Sequence, residues 1–164
     1  TWHIWRSDLV NNKWGEPVFV DIPNLRDRLV SHPTVAADGT LYFHVSNTDF
    51  SEMDIFYSEY ERGMYSEAQT LQFDKTAETG RCTPFIAPDE AFIMYAEIGE
   101  PLNLMISYQD NNGEWTSTKA LNARINTLGQ GNPFVTPDQR FLFFTTANEK
   151  EGWHVKWIPL EKAF

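Results

Sequence analysis

Pro33-Thr34-Val35-Ala36-Ala37-Asp38-Gly39, Pro84-Phe85-Ile86-Ala87-Pro88-Asp89-Glu90 and Pro133-Phe134-Val135-Thr136-Pro137-Asp138-Gln139 are one pattern written three times. Their aspartates lie 51 and 49 residues apart. Each copy runs into an apolar segment: Leu41 to Val45, Ala91 to Tyr95 and Phe141 to Phe144. A second pattern keeps step with the first. Ser7, Ser58 and Ser107 close apolar or aromatic runs, and Trp14, Tyr65 and Trp115 follow seven or eight residues later. Turn-rich stretches lie between: Asn11-Asn12-Lys13, Glu61-Arg62-Gly63 and Asp110 to Gly113. A period near 50 with four short segments per unit marks propeller blades and not helical solenoids.

The apolar runs are rich in Phe, Tyr, Val and Ile and are bounded by Pro, Gly, Asn and Asp, which is strand chemistry. Pro-Asp-X between two of them reads as a tight turn, because Pro presets φ and Asp bonds the backbone just beyond. The second run of each unit is continuously apolar, as in a strand covered on both faces. The expected fold is all-β, with blades of four antiparallel strands and about three blades per chain. Counting outward from the axis, the chain begins at a third strand (Trp2 to Ser7) and an outer strand (Trp14 to Val20). Complete blades follow at about 32–71 and 82–121, joined by connections over 72–82 and 122–131, and the chain ends on an inner, a second and a third strand. The repeat boundaries fall at about 2–31, 32–81, 82–131 and 132–164, within one three-blade arc. The last segment, Trp153 to Leu160, aligns with Trp2 to Leu9 at a distance of 151 residues, which is three periods.

Composition narrows the partners. The 164 residues carry 13 basic and 23 acidic side chains, a net charge of −10, and 41% are hydrophobic. That is enough apolar chain for a core and too much for disorder. The negative charge argues against nucleic acid and against an anionic membrane surface. No apolar run is long enough to span a bilayer. A single cysteine, Cys82, excludes an internal disulfide framework. Known propellers close with about four to eight blades, so a three-blade arc leaves open strand edges. Two arrangements remove them: a homodimer closing a six-bladed ring head to tail, or a longer polypeptide supplying the other half.

The same residues resemble the WD40-like propellers of TolB type, whose repeat carries a Pro-Asp-Gly signature. The match rests on Pro33/Asp38/Gly39, Pro84/Pro88/Asp89 and Pro133/Pro137/Asp138. Asp54-Ile55-Phe56-Tyr57-Ser58 is similar to the family's third strand, and Asn12-Lys13-Trp14-Gly15-Glu16-Pro17 to its outer-strand lead-in. Ala37 stands where the family has Pro, and Glu90 and Gln139 where it has Gly. The resemblance implies the C-terminal half of a six-bladed propeller and a periplasmic or secreted setting. Family members include interaction proteins, gating domains, lectin-like modules and a lyase of pectic oligosaccharides, so the fold does not select the function.

No catalytic constellation emerges from the residues. Cys82 follows Arg81, which would favour a thiolate, yet a lone cysteine more often packs as a small hydrophobe. No Gly-x-Ser-x-Gly elbow is present. His44 reads as a satisfied core or blade-interface histidine, and His3 and His154 repeat by symmetry. The family's pectic lyases hold a metal through several channel histidines; here only His32 precedes an inner-strand proline, with Thr83 and Asn132 at the equivalent places. Neither metal nor cofactor is therefore expected. Asp110 to Glu114 reads as a hairpin turn and not as a calcium loop. The candidate binding residues are those leading into the inner strands at the channel rim: Arg28, His32, Arg81, Thr83, Gln130 and Asn132. Equivalent positions with different chemistry suit a binding surface on a repeat scaffold. The expected function is a non-enzymatic binding module for a protein or peptide at the channel mouth or blade edges. The alternatives are a lectin-like carbohydrate binder or a polysaccharide lyase or hydrolase with an axial site.

Overall fold

The computed structural model describes residues 2–73, 80–148, 150 and 152–164. Part of the connection expected over 72–82, namely residues 74–79, lies outside the described residues. The described chain is all-β apart from two single-turn 3-10 helices, Pro23–Leu25 and Leu160–Lys162. In the first sheet β1 (Trp5–Arg6) pairs with β4 (Val18–Phe19), and between them β2 (Leu9–Val10) and β3 (Lys13–Trp14) form their own hairpin. The second sheet contains β5 (Leu29–Val35), β6 (Leu41–Ser46) and β7 (Met53–Ser58). The hairpin β8 (Tyr60–Glu61) and β9 (Met64–Tyr65) follows, and β10 (Gln69–Thr70) completes the order β10-β7-β6-β5. The third sheet runs β11 (Arg81–Ile86), β12 (Phe92–Glu97), β13 (Asn103–Tyr108) and β14 (Lys119–Ala120). The last has three strands, β15 (Gln130–Val135), β16 (Phe141–Asn148) and β17 (Gly152–Pro159). All pairings between neighbouring strands are antiparallel, and the fold is that of propeller blades.

The repeated Pro-Asp-X turn has one construction in all three copies. The N–H groups of Gly39, Glu90 and Gln139 bond back to the carbonyls of Ala36, Ala87 and Thr136 at 2.8–3.0 Å. Asp38, Asp89 and Asp138 each accept the N–H two residues on, from Thr40, Ala91 and Arg140. The residue closing the turn takes positive φ: +99° at Gly39, +58° at Glu90 and +54° at Gln139. Only glycine enters that region without a Cβ penalty, so Glu90 and Gln139 hold it under strain. Glu90 has a compensation, because its carboxylate accepts the Tyr42 hydroxyl at 2.6 Å and ties one sheet to the next.

Every inner strand is interrupted at the same place. Register shifts fall between Ser31 and Thr34, Cys82 and Phe85, and Gly131 and Phe134. His32, Thr83 and Asn132 sit in these bulges with φ of +51°, +49° and +48°. Each precedes a proline, which has no N–H to give to the ladder, so the pairing must break there. A β-branched threonine at positive φ is the most strained of the three.

Second strands carry the core. All six residues of β6 are buried, as are Ile93 to Ala96 of β12. Third and outer strands are held by a repeated clasp, in which Ser7, Ser58 and Ser107 Oγ donate to the carbonyls of Gly15, Ser66 and Thr116 at 2.6–2.7 Å. The in-register serines are thus structural. Of the in-register aromatics, Trp115 packs on Phe73 and Tyr65 on Tyr60, whereas Trp14 is 72% exposed. Each outer strand expected as one segment is in fact broken, with its aromatic residue in the tip and its sheet pairing further on.

Candidate functional site

The six predicted rim residues separate into two sets. His32, Thr83 and Asn132 occupy the three bulges, and backbone geometry turns them out of the ladder. The Asn132 N–H donates to Thr83 Oγ1 at 3.1 Å, joining two of the bulges across the sheet boundary, and Asn132 Nδ2 reaches Thr145 Oγ1 at 3.0 Å. His32 stacks on His44 with ring centroids 5.7 Å apart, and Ser31 Oγ lies 3.0 Å from His32 Nδ1 and 3.4 Å from His44 Nδ1.

Arg28, Arg81 and Gln130 point into the protein's own contacts. Arg28 pairs with Glu52 at 3.6 Å and Arg81 with Asp54 at 3.3 Å, so the two cations form no shared basic focus. Arg81 is buried, lies over the Phe73 ring at 4.8 Å, and keeps Nη1 without a hydrogen-bond partner among the described residues. Gln130 is fully buried, donating to Thr146 Oγ1 and accepting from the Gly129 N–H.

Burial sets the titration of the groups around the inner strands. His44 is buried, and its Nε2 has no hydrogen-bond partner among the described residues, so its hydrogen-bonding capacity is not fully satisfied. Burial, then the neighbouring His32, lowers its pKa to about 4; desolvation of His32 lowers that pKa too. Both rings are therefore neutral near pH 7. Burial pushes the Cys82 thiol up, against the thiolate that Arg81 beside it would favour, and leaves a neutral, weakly nucleophilic sulfur. The Asp110 carboxylate is spent on its own turn, accepting the N–H groups of Asn112 and Glu114, which holds its pKa below the usual range. Among the described residues no group of three or more His, Cys, Asp or Glu is placed to hold a metal ion.

A second site, absent from the sequence reading, lies between the second and third sheets. A groove of about 580 Å³ is lined by Asp38, Glu59, Glu61 and Glu90 and by the aromatic rings of Tyr42, Tyr57, Tyr60 and Trp115. Among the described residues no lysine or arginine lines it. Tyr42 and Tyr57 stack at 6.0 Å along one wall, and burial with the adjacent Glu90 keeps the Tyr42 hydroxyl protonated. Carboxylates beside aromatic faces attract cations twice over, through charge and through the ring quadrupole. The groove joins residues about fifty positions apart, one repeat meeting the next, and its sequence signal was the positions Asp38 and Glu90 in equivalent turns.

These sheets define a β-propeller-type arc, and comparison with solved structures agrees. The chain is similar in fold to the protein described as "Crystal structure of TolB from Acinetobacter baumannii", with a TM-score of 0.64 and 14% identity. The likeness covers 99% of this chain and 36% of that one, so the chain spans little more than a third of its neighbour's length. No family model matches the sequence, and no curated protein does. No helix among the described residues is long and apolar enough to cross a membrane.

Proposed function

We propose that this chain is a non-enzymatic binding module whose ligand is a peptide or protein segment carrying basic side chains, seated at the blade edges in the acidic groove. The carrying observation is the lining of that groove, which among the described residues is four carboxylates and four aromatic rings with no cation. The net charge of −10 adds long-range attraction for such a ligand. His32, Thr83 and Asn132 offer a second contact at the inner rim, where strained backbone holds three different polar side chains in equivalent positions. The resemblance to TolB-type propellers supports a periplasmic or secreted setting for the same activity.

Fluorescence anisotropy with labelled decapeptides tests the reading. A Lys/Arg-rich peptide should bind, its Glu-substituted counterpart should not, and Glu59→Gln with Glu61→Gln should weaken binding roughly tenfold, in line with ~1–2 kcal/mol for a lost charged contact. Equal binding of both peptides would sink the proposal. Tyr60 and Trp115 also make sugar platforms, which favours carbohydrate as the second reading. Binding on a glycan array that is lost in Trp115→Ala, with no peptide binding, would select it.

A further inference from the structure

Taking the acidic groove as the seat of basic side chains, on which this rests, we propose that the same ligand places a large apolar side chain in the equivalent groove one repeat earlier. That second groove, of about 260 Å³, lies between the first and second sheets. The two grooves are copies of one another. Val20 and Leu71 make the same backbone bond, donating to the carbonyls of Ile4 and Ile55 at 3.0 and 2.9 Å, and each lines its own groove. Arg6 and Tyr57 stand one residue before the clasping serines Ser7 and Ser58 and line the two grooves from the third strands. Tyr65 and Trp115, the in-register aromatics, close them from the sheet that follows. Each groove is thus bounded by two sheets of the chain itself.

Equivalent places carry different chemistry. The earlier groove is lined by Val18, Phe19, Pro23 and Met64, and Val18 and Met64 are 58% and 70% exposed. Its two charged residues are already engaged. Asp21 accepts from Arg26 Nε at 2.9 Å, while Arg6 pairs with Asp8 at 3.4 Å and donates to the Tyr60 hydroxyl at 3.5 Å. What remains is apolar surface with a flexible thioether on one side, which adapts to a large apolar side chain.

Tyr60 lines both grooves, so they adjoin across the β8–β9 hairpin. An extended segment leaving one enters the other beside that ring. Repeat scaffolds present such surfaces, with successive units reading successive stretches of one chain. Arg6 adds discrimination, because it stands where the acidic groove has Tyr57. A ligand basic throughout brings a second cation against Arg6, whereas a basic residue followed by an apolar one meets no repulsion.

Fluorescence anisotropy reads the two subsites separately. The probes are a Lys/Arg peptide, the same peptide extended by a Gly/Ser spacer and a Phe, and its Ala counterpart, over a series of spacer lengths and in both chain orders. At a particular spacer length the Phe peptide should bind about tenfold more tightly than the Ala peptide, as burial of a large apolar side chain supplies. Val18→Ser combined with Met64→Ser should bring that ratio close to one. Both side chains are exposed, so their replacement leaves the fold intact, which circular dichroism checks. Glu59→Gln with Glu61→Gln should weaken the Phe and Ala peptides in parallel and keep the ratio. Equal binding of the Phe and Ala peptides at every spacer length, with the basic peptide still bound, would overturn the second subsite and leave the acidic groove standing. A gain that survives Val18→Ser with Met64→Ser would overturn it as well. Failure of the basic peptide itself to bind would remove both.

Discussion

β13 and β17 hold the same place in successive sheets and differ in everything their neighbours provide. Leu104 and Ile106 of β13 are 0% and 2% exposed, while the equivalent Val155 and Trp157 of β17 are 66% and 58% exposed. The residue types are alike, and both strands pair with a second strand along their whole length. What differs is the covering: β13 has β14 on its outer edge and further sheets on its faces, and among the described residues β17 has neither an outer strand nor a following sheet. Burial in a repeat fold is conferred by the next unit, not by the residue itself.

The largest test of that contrast is truncation at matched positions. Leu104→Ala should cost about 2–5 kcal/mol of unfolding free energy, the range for emptying a packed site. Val155→Ala in the monomeric chain should cost under ~0.5 kcal/mol, as surface changes do. Denaturant midpoints compare the two, and equal losses would break the contrast.

Acid sharpens it next, through the buried second strand of the complete sheet. His44 has its pKa lowered from 6.5 to about 4, so the unfolded chain takes up the proton first as pH falls. Stability is therefore full above about pH 6.5, falls between there and about pH 4, and loses no more on this account below that. The loss should be ~2–3 kcal/mol, and His44→Gln should flatten that limb in urea titrations run at several pH values. A variant with the same acid slope would show that His44 does not carry it.

Smaller effects separate the serine clasps. Ser58 and Ser107 are fully buried, so their replacement by Ala should cost ~1–2 kcal/mol each by leaving a carbonyl unpaired. Ser7 makes the same bond at the half-exposed first sheet, where water replaces the donor, and Ser7→Ala should cost less than half as much in thermal melts. The smallest contrast lies in the turns. Gln139→Gly relieves positive φ and should stabilise by up to ~1 kcal/mol, whereas Glu90→Gly also loses the Tyr42 bond and should gain nothing. Calorimetric midpoints moving together would disprove the role given to Glu90.

The architecture was legible in the sequence because the repeat states it three times over. Pro-Asp-X marks the turn, the apolar run marks the second strand, and a serine ends the third. The bulges were not foreseen, although a proline follows His32, Thr83 and Asn132 in every inner strand and cannot join the ladder. Arg28 and Arg81, expected at the rim as binding residues, are instead paired with Glu52 and Asp54, which are distant in sequence and adjacent only across strands and sheets. The acidic groove was hidden for the same reason: Tyr42 and Glu90 belong to different repeats and meet only when sheets stack. Local chemistry travels along the chain, whereas charge pairing and cavities arise between units.

The serine clasp also insulates what lies beyond it. Eight residues separate Ser7 from Gly15 and Ser58 from Ser66, but nine separate Ser107 from Thr116, and the same bond forms in each. Hairpin length has already varied without disturbing the sheet below. The tip at Arg62-Gly63, exposed and beyond the clasp, is accordingly a natural port for grafted sequence. A recognition loop inserted there would be anchored on a scaffold that does not register its length.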